Sequence, residues 1–226
     1  MKVSPNMTST SVANSDRRAL GWAGFFLSIL LIGGCSALPD KPVRPAVYDF
    51  GPGLVPKATP APPAAGAALP PLLLADIEAP ATVDGTAVLY RLAYADVQQL
   101  RPYAQARWSM PPAQLVRQRL RDQLSQQRVV LNPAEGPAGW ILRLELEEFT
   151  QVFETPDRSV GLVRLRATLL ETVNGRERLV AQRRFTVQRP AASADAPGGV
   201  RALTAASDVA TDEIVQWLYQ APAGVR

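Results

Sequence analysis

Three consecutive runs in the second half of the chain alternate apolar and polar residues with a period of two. Residues 140–149 read WILRLELEEF, with Leu142, Leu144 and Leu146 on one side and Arg143, Glu145 and Glu147 on the other. Residues 159–172 repeat the pattern, setting Val163, Leu165, Ala167 and Leu169 against Arg164, Arg166 and Thr168. Residues 179–188 set Phe185 and Val187 against Arg184 and Gln188. Successive strand side chains point to opposite faces, so each run is a strand with one dry and one wet face. Pro156-Asp157 and Asn174-Gly175 separate the runs. Asn-Gly suits a two-residue hairpin, whose turn needs positive φ at both positions. An antiparallel meander follows, and its apolar face must be covered.

Two helical patterns can cover it. In residues 109–127, Val116, Leu120 and Leu124 recur every fourth position with Leu115 beside them, and Arg117, Arg119, Arg121 and Asp122 take the outer face. Ser109 is the expected cap, and Pro111 and Pro112 fit only a first turn. Residues 189–199 read as a loop. In residues 200–219 the buried stripe is Leu203, Ala206, Ala210, Ile214, Trp217 and Leu218, opposite Asp208, Asp212, Glu213 and Gln216. The fold class is α+β: a mostly antiparallel sheet with two amphipathic helices packed on one face.

Upstream, residues 72–77 form an aliphatic run bounded by prolines, and residues 87–94 (AVLYRLAY) form another strand, with Asp84-Gly85 as a turn between them. Residues 100–108 are ambiguous between a returning strand and an irregular edge, because Pro102 argues against a central strand. Eleven of the 21 prolines fall between Pro39 and Pro80. Such a stretch reads as an extended tether. Within it, residues 47–51 (VYDFG) alternate like a strand, and their two aromatics suit an edge strand docked on the domain.

Arg17 and Arg18 precede an apolar run, residues 20–32, that ends in Gly33, Gly34 and Cys35. A signal peptide needs basic residues, an apolar segment of about 7–15 residues and small residues before the cut. A spanning helix needs about 20 apolar residues, so this run is short for one. Ile32-Gly33-Gly34-Cys35 is similar to the bacterial lipobox, which makes Cys35, the single cysteine, an acylation site carrying palmitate or a related chain. The expected organisation is a signal peptide at 1–35, a tether at 36–71 and a folded domain at 72–221. Ser36 follows the cysteine, where Asp would be the usual signal for inner-membrane retention, so the expected location is the outer membrane, facing the periplasm. A single acyl chain anchors only marginally, whereas several anchor durably.

Composition narrows the chemistry. The formal charge is +4, of which Lys2, Asp16, Arg17 and Arg18 account for +2. The remainder is near balance and carries no basic stripe of the kind that binds nucleic acid. There is no histidine, so His-dependent triads are excluded and zinc loses its commonest ligand. No cofactor is expected. The row of Arg143, Glu145 and Glu147 beside Arg164, Arg166 and Arg184 could host carboxylate chemistry, but opposite charges on adjacent strands are ordinary cross-strand pairs. Tyr90, Arg91, Tyr103, Arg107 and Trp108 concentrate residue types enriched at binding hot spots. The same types also build core edges.

These stretches carry a resemblance. LLLADIEAP, followed by LYRLAYADVQQLRPYAQARWSMPPAQLVRQRLRDQL, is similar to the ABC-type transport auxiliary lipoprotein family, the PqiC-like group. The matching features are the Tyr90-Arg91 pair, Tyr103 before Arg107-Trp108, the proline-started helix, the strand LRLELEEFTQVF, the closing helix with Trp217, and the early YDFGP. The resemblance implies a non-enzymatic outer-membrane lipoprotein. Its implied partners are an ATP-binding-cassette permease with its ATPase and a membrane-anchored protein with mammalian-cell-entry (MCE) domains, a system moving phospholipid or other apolar molecules. It implies acylation of Cys35 and offers Tyr90, Arg91, Tyr103, Arg107 and Trp108 as a partner surface. A homo-oligomer paired through the 47–51 strand is a further expectation. Two other classes fit the residues: an envelope assembly lipoprotein supporting a barrel or lipopolysaccharide machine, and a carboxylate hydrolase with two acids converging in a cleft.

Overall fold

The computed structural model describes residues 44–52 and 69–220. Cys35, its preceding apolar run and most of the 36–71 tether lie outside the described residues. The elements are β1 (Ala46–Tyr48), β2 (Leu69–Leu74), β3 (Ala87–Leu92), β4 (Asp96–Trp108), α1 (Pro112–Ser125), β5 (Arg128–Leu131), a 3-10 turn (Pro133–Glu135), β6 (Trp140–Thr155), β7 (Arg158–Val173), β8 (Arg176–Pro190) and α2 (Ala196–Gln220). The fold is α+β, with eight strands in one sheet.

β6 is the spine of that sheet. One of its margins pairs with β7 along almost its whole length, antiparallel, from Trp140–Glu171 to Thr155–Arg158. β8 continues the meander on β7, again antiparallel. The Asn174-Gly175 turn has φ of 52° and 74°, the left-handed pair that a two-residue hairpin requires. The other margin of β6 is shared. β2 runs parallel to its start (Leu72–Trp140 to Leu74–Leu142), Glu78 bridges Glu145, and β3 runs parallel to its end (Tyr90–Gln151 to Leu92–Phe153). β2 and β3 thus act as one interrupted strand, with the 79–86 excursion between them. The sheet is therefore mixed. The meander is antiparallel as its alternation requires, while the parallel pairings come from this chain return.

The apolar alternation points where the pattern indicates. Leu142, Leu144, Leu146, Val163, Leu165, Ala167, Leu169, Phe185 and Val187 are all buried beneath the helices, together with Val116, Leu120 and Leu124 of α1 and Leu203, Ala206, Ala210 and Ile214 of α2. β1 pairs parallel with β4. Phe50, two residues after β1, enters the core between Trp108 (ring centroids 5.7 Å) and Phe149 (6.2 Å). β4 is a strand, and Pro102 lies where β4 has no partner on its outer side among the described residues, since β1 covers only Ala106–Trp108.

Three local features differ from the pattern. Ser109 does not cap α1: the cap position is Pro111, without a side-chain hydrogen bond, and the Ser109 N–H donates to the Tyr48 carbonyl at 2.7 Å. α2 starts earlier than residue 200 because the Asp195 carboxylate accepts the Gly198 N–H at 2.8 Å, an N-terminal cap. The arginines of α1 are clamps, not solvated charges. Arg117 donates to the Leu74 carbonyl (3.0 Å) and to Asn132 Oδ1 (2.9 Å). Arg119 donates to the Phe50 carbonyl (2.7 Å) and pairs with Asp208 (3.3 Å), so Asp208 faces α1 and not water.

Burial raises the Asp208 pKa, Asp212 adds to the rise, and Arg119 offsets it only in part. A folded-state carboxyl pKa above its unfolded value makes stability fall as pH climbs from the ordinary aspartate range through the folded value. Asp208→Asn removes this titration. Its melting temperature is therefore expected to gain on wild type as pH rises from about 4 to 7. Parallel thermal unfolding of the two proteins checks it, and a gap independent of pH would contradict it.

Candidate functional site

The five candidate surface residues occupy different environments. Tyr90 and Arg91 are neighbours on β3 and so point to opposite faces. Tyr90 lies on the helix side, its ring 4.5 Å from Tyr103 and 5.9 Å from Phe153. The Tyr103 hydroxyl donates to Gln151 Oε1 at 2.9 Å, and Gln151 Nε2 donates to Ser159 Oγ at 2.8 Å. Gln151 and Ser159 are buried. Burial pushes the Tyr103 phenol well above its ordinary pKa, with Tyr90 and the Asp195 carboxylate adding to the shift. Tyr103 is therefore held as a neutral donor, a positioning role for the hairpin and not an acid-base one.

Arg91 works on the opposite face. Its Nη1 donates to the Val97 (3.2 Å) and Gln98 (3.3 Å) carbonyls, and its Nε lies 3.7 Å from Glu148. It pins the β3–β4 hairpin to the sheet. The hairpin tip exposes Tyr94 and Val97, 48% and 61% accessible. Arg107 is exposed on β4, between Val47 of β1 and Ala87 of β3 in register. Trp108 is interior, 1% accessible, with its ring edge-on to Phe50 and Phe149. The structure thus joins Tyr90 to Tyr103, sets Arg91 behind the hairpin, leaves Arg107 on the surface and removes Trp108 from it. Sequence reasoning missed Gln151, Phe153, Tyr94 and Val97. Continuing the alternation of β6 from Phe149 through Gln151 to Phe153 would have found the first two.

The carboxylate row forms a real cleft on the helix-free face, about 530 Å³, lined by Glu78, Pro80, Glu145, Glu147, Arg166 and Arg184. Arg166 pairs with Glu145 (3.3 Å) and with Glu147, and Arg184 Nε pairs with Glu147 at 2.9 Å. Burial pushes the Glu147 pKa up, but the Arg184 hydrogen bond and the Arg166 and Arg184 charges outweigh it, and the net shift is downward. A glycosidase acid needs the opposite, a carboxyl held protonated near neutral pH. What the cleft does is hold strands β6, β7 and β8 together through cross-strand ion pairs. Among the described residues, no group of three or more His, Cys, Asp or Glu is placed to hold a metal ion, and no helix is long and apolar enough to cross a membrane.

The family model for the ABC-type transport auxiliary lipoprotein component matches residues 53–215, from the tether through most of α2. The chain belongs to this family. Its fold is similar to that of protein XCC0632 from Xanthomonas campestris, with a TM-score of 0.59 and 24% identity over 67% of this chain and 87% of that one. It is also similar to the crystal structure of an uncharacterized protein, with a TM-score of 0.55 and 15% identity over 77% of this chain and 98% of that one. These likenesses are likenesses of fold. No curated protein matches the chain in sequence.

Proposed function

We propose that the chain is an outer-membrane lipoprotein, acylated at Cys35 and facing the periplasm, that serves an ABC and MCE transport system as a non-catalytic docking component. The system moves phospholipid or other apolar molecules across the envelope. The family match over residues 53–215 carries this reading. The pinned β3–β4 hairpin supports it: a hairpin with Tyr94 and Val97 exposed at its tip, Tyr90 and Tyr103 stacked behind and Arg107 exposed at its base opposite Ala87 is a pre-organised contact strip. Rigid aromatic anchors lose little entropy on binding. The ion-paired state of Glu147 speaks against the carboxylate-hydrolase reading. Self-association through the open margin of β1 belongs to the same proposal.

Cys35→Ala is expected to leave the domain folded and to move the protein from the membrane fraction to the soluble or unprocessed fraction. Palmitate labelling of cells and fractionation check this; a labelled variant would contradict it. The functional reading is tested by purifying the tagged protein from detergent-solubilised envelopes. An MCE-domain protein with its permease and ATPase is expected alongside it, and a barrel-assembly or lipopolysaccharide component in their place would establish the assembly-factor reading instead. Light scattering of the purified chain settles the oligomer, which a monomer mass would remove.

A further inference from the structure

β8 is the long free margin of the sheet. The other terminal strands of the sheet, β1 and β5, have 3 and 4 residues, whereas β8 has 15. Among the described residues β8 pairs only with β7. From Ala181–Leu169 to Pro190–Val160 its register on β7 is unbroken, a ten-residue stretch. An edge strand presents a row of unpaired N–H and C=O groups, and folded chains blunt such edges with prolines, bulges or shortness. β4, a strand whose outer margin is open in part among the described residues, has Pro102 and two register breaks. β8 has its one irregularity before Ala181 and its proline at the very end. Phe185 and Val187 are buried under α2, so this edge is held rigid from behind.

Its charge is one-sided. The stretch 181–190, AQRRFTVQRP, carries Arg183, Arg184 and Arg189 and no acidic residue. Arg183 lies over the Phe185 ring at 5.1 Å, and Arg184 is held by Glu147. A second copy offering the same edge would bring together two stretches that each carry three arginines and no acid, which is unfavourable. The same arginines favour an acidic strand. We propose that β8 is a docking edge for an extended acidic segment of a partner polypeptide, which adds to the sheet as a further strand. Main-chain hydrogen bonds supply the affinity of such strand addition, and side-chain complementarity supplies the choice of partner. The proposal does not depend on Cys35 or on the β3–β4 hairpin.

The test uses the full-length protein in detergent and three synthetic ten-residue peptides in which valine alternates with glutamate, lysine or serine. Hydrogen–deuterium exchange is followed along the chain. The glutamate peptide is expected to slow exchange in residues 181–190 by about tenfold or more, with no change in residues 93–97, and the serine and lysine peptides to protect β8 in that order and at least several-fold less. The double variant Arg183→Glu, Arg189→Glu is expected to keep the wild-type melting temperature and to be protected by the lysine peptide instead. Unchanged exchange with the glutamate peptide, equal protection by all three, or an unaltered preference in the folded double variant would each overturn the proposal.

Discussion

Trp108→Ala is expected to cost about 3–5 kcal/mol of folding stability, the range for truncating a large buried aromatic. For a domain of this size that lowers the melting temperature by about 6–20 °C. Trp108 is 1% accessible and meets Phe50 at 5.7 Å and Phe149 at 5.5 Å, both edge-on. Phe50 belongs to the segment that carries β1, so the cavity would loosen the docking of that segment as well as the centre of the sheet. The indole Nε1–H is buried and has no hydrogen-bond partner among the described residues. Trp108→Phe leaves a smaller void than Ala and removes a buried donor that has no partner among the described residues, so it is expected to retain most of the stability. Thermal unfolding of the two variants beside Tyr94→Ala, an exposed site expected to change stability by less than about 0.5 kcal/mol, separates core from surface. A Trp108→Ala protein that melts like wild type yet fails to bind its partner would return Trp108 to the contact surface.

Gly161→Ala is expected to be costly for a different reason. Gly161 sits in β7 opposite Gln151 and Arg189. A Cβ there would lie 2.6 Å from the Ala202 carbonyl carbon and the Leu203 nitrogen, backbone atoms of α2. Helix backbone cannot rotate aside as a side chain can, so α2 must lift from the sheet. Overpacking of this kind costs about 1–3 kcal/mol, occasionally more. The upper end applies here, because both near atoms at Gly161 are helix backbone; at Gly199, one turn earlier in α2, the near group is the buried Gln151 side chain, whose Oε1 would lie 1.9 Å from a Cβ. The first turns of α2 therefore pack against the sheet with no room for a side chain at either glycine. Gly139→Ala is the control, since nothing lies within 4 Å of a Cβ there. Denaturant titration of both variants checks the pair, and equal midpoints would contradict the close approach.

Period-two alternation made the β6–β7–β8 meander legible residue by residue, because one dry face forces the register. Fourfold spacing did the same for both helices. The parallel pairings of β2 and β3 on β6 carried no such mark: short aliphatic runs fit either direction, and the direction is set by where the chain returns. β5 escaped notice because RVVL at residues 128–131 is only four residues long. The charges on α1 misled for a physical reason. Arginine stems lie along apolar surface while their heads reach carbonyls, so Arg117 and Arg119 alternate like solvated residues and yet bond to Leu74, Phe50 and Asp208. At the candidate site, residue types suggested one cluster. Neighbours on a strand face opposite ways, so Tyr90 and Arg91 were bound to part, and Trp108 was claimed by Phe50 from a segment far upstream.

The most direct measurement is the amount of transporter that co-purifies with tagged wild-type protein and with a Tyr94→Ser, Arg107→Glu variant of matched melting temperature. The predicted result is an MCE-domain protein, permease and ATPase with wild type and a loss of about tenfold or more with the variant, as expected when an exposed aromatic and an arginine form the hot spot. Equal recovery with both proteins, or recovery of a barrel-assembly or lipopolysaccharide component from wild type, would contradict it.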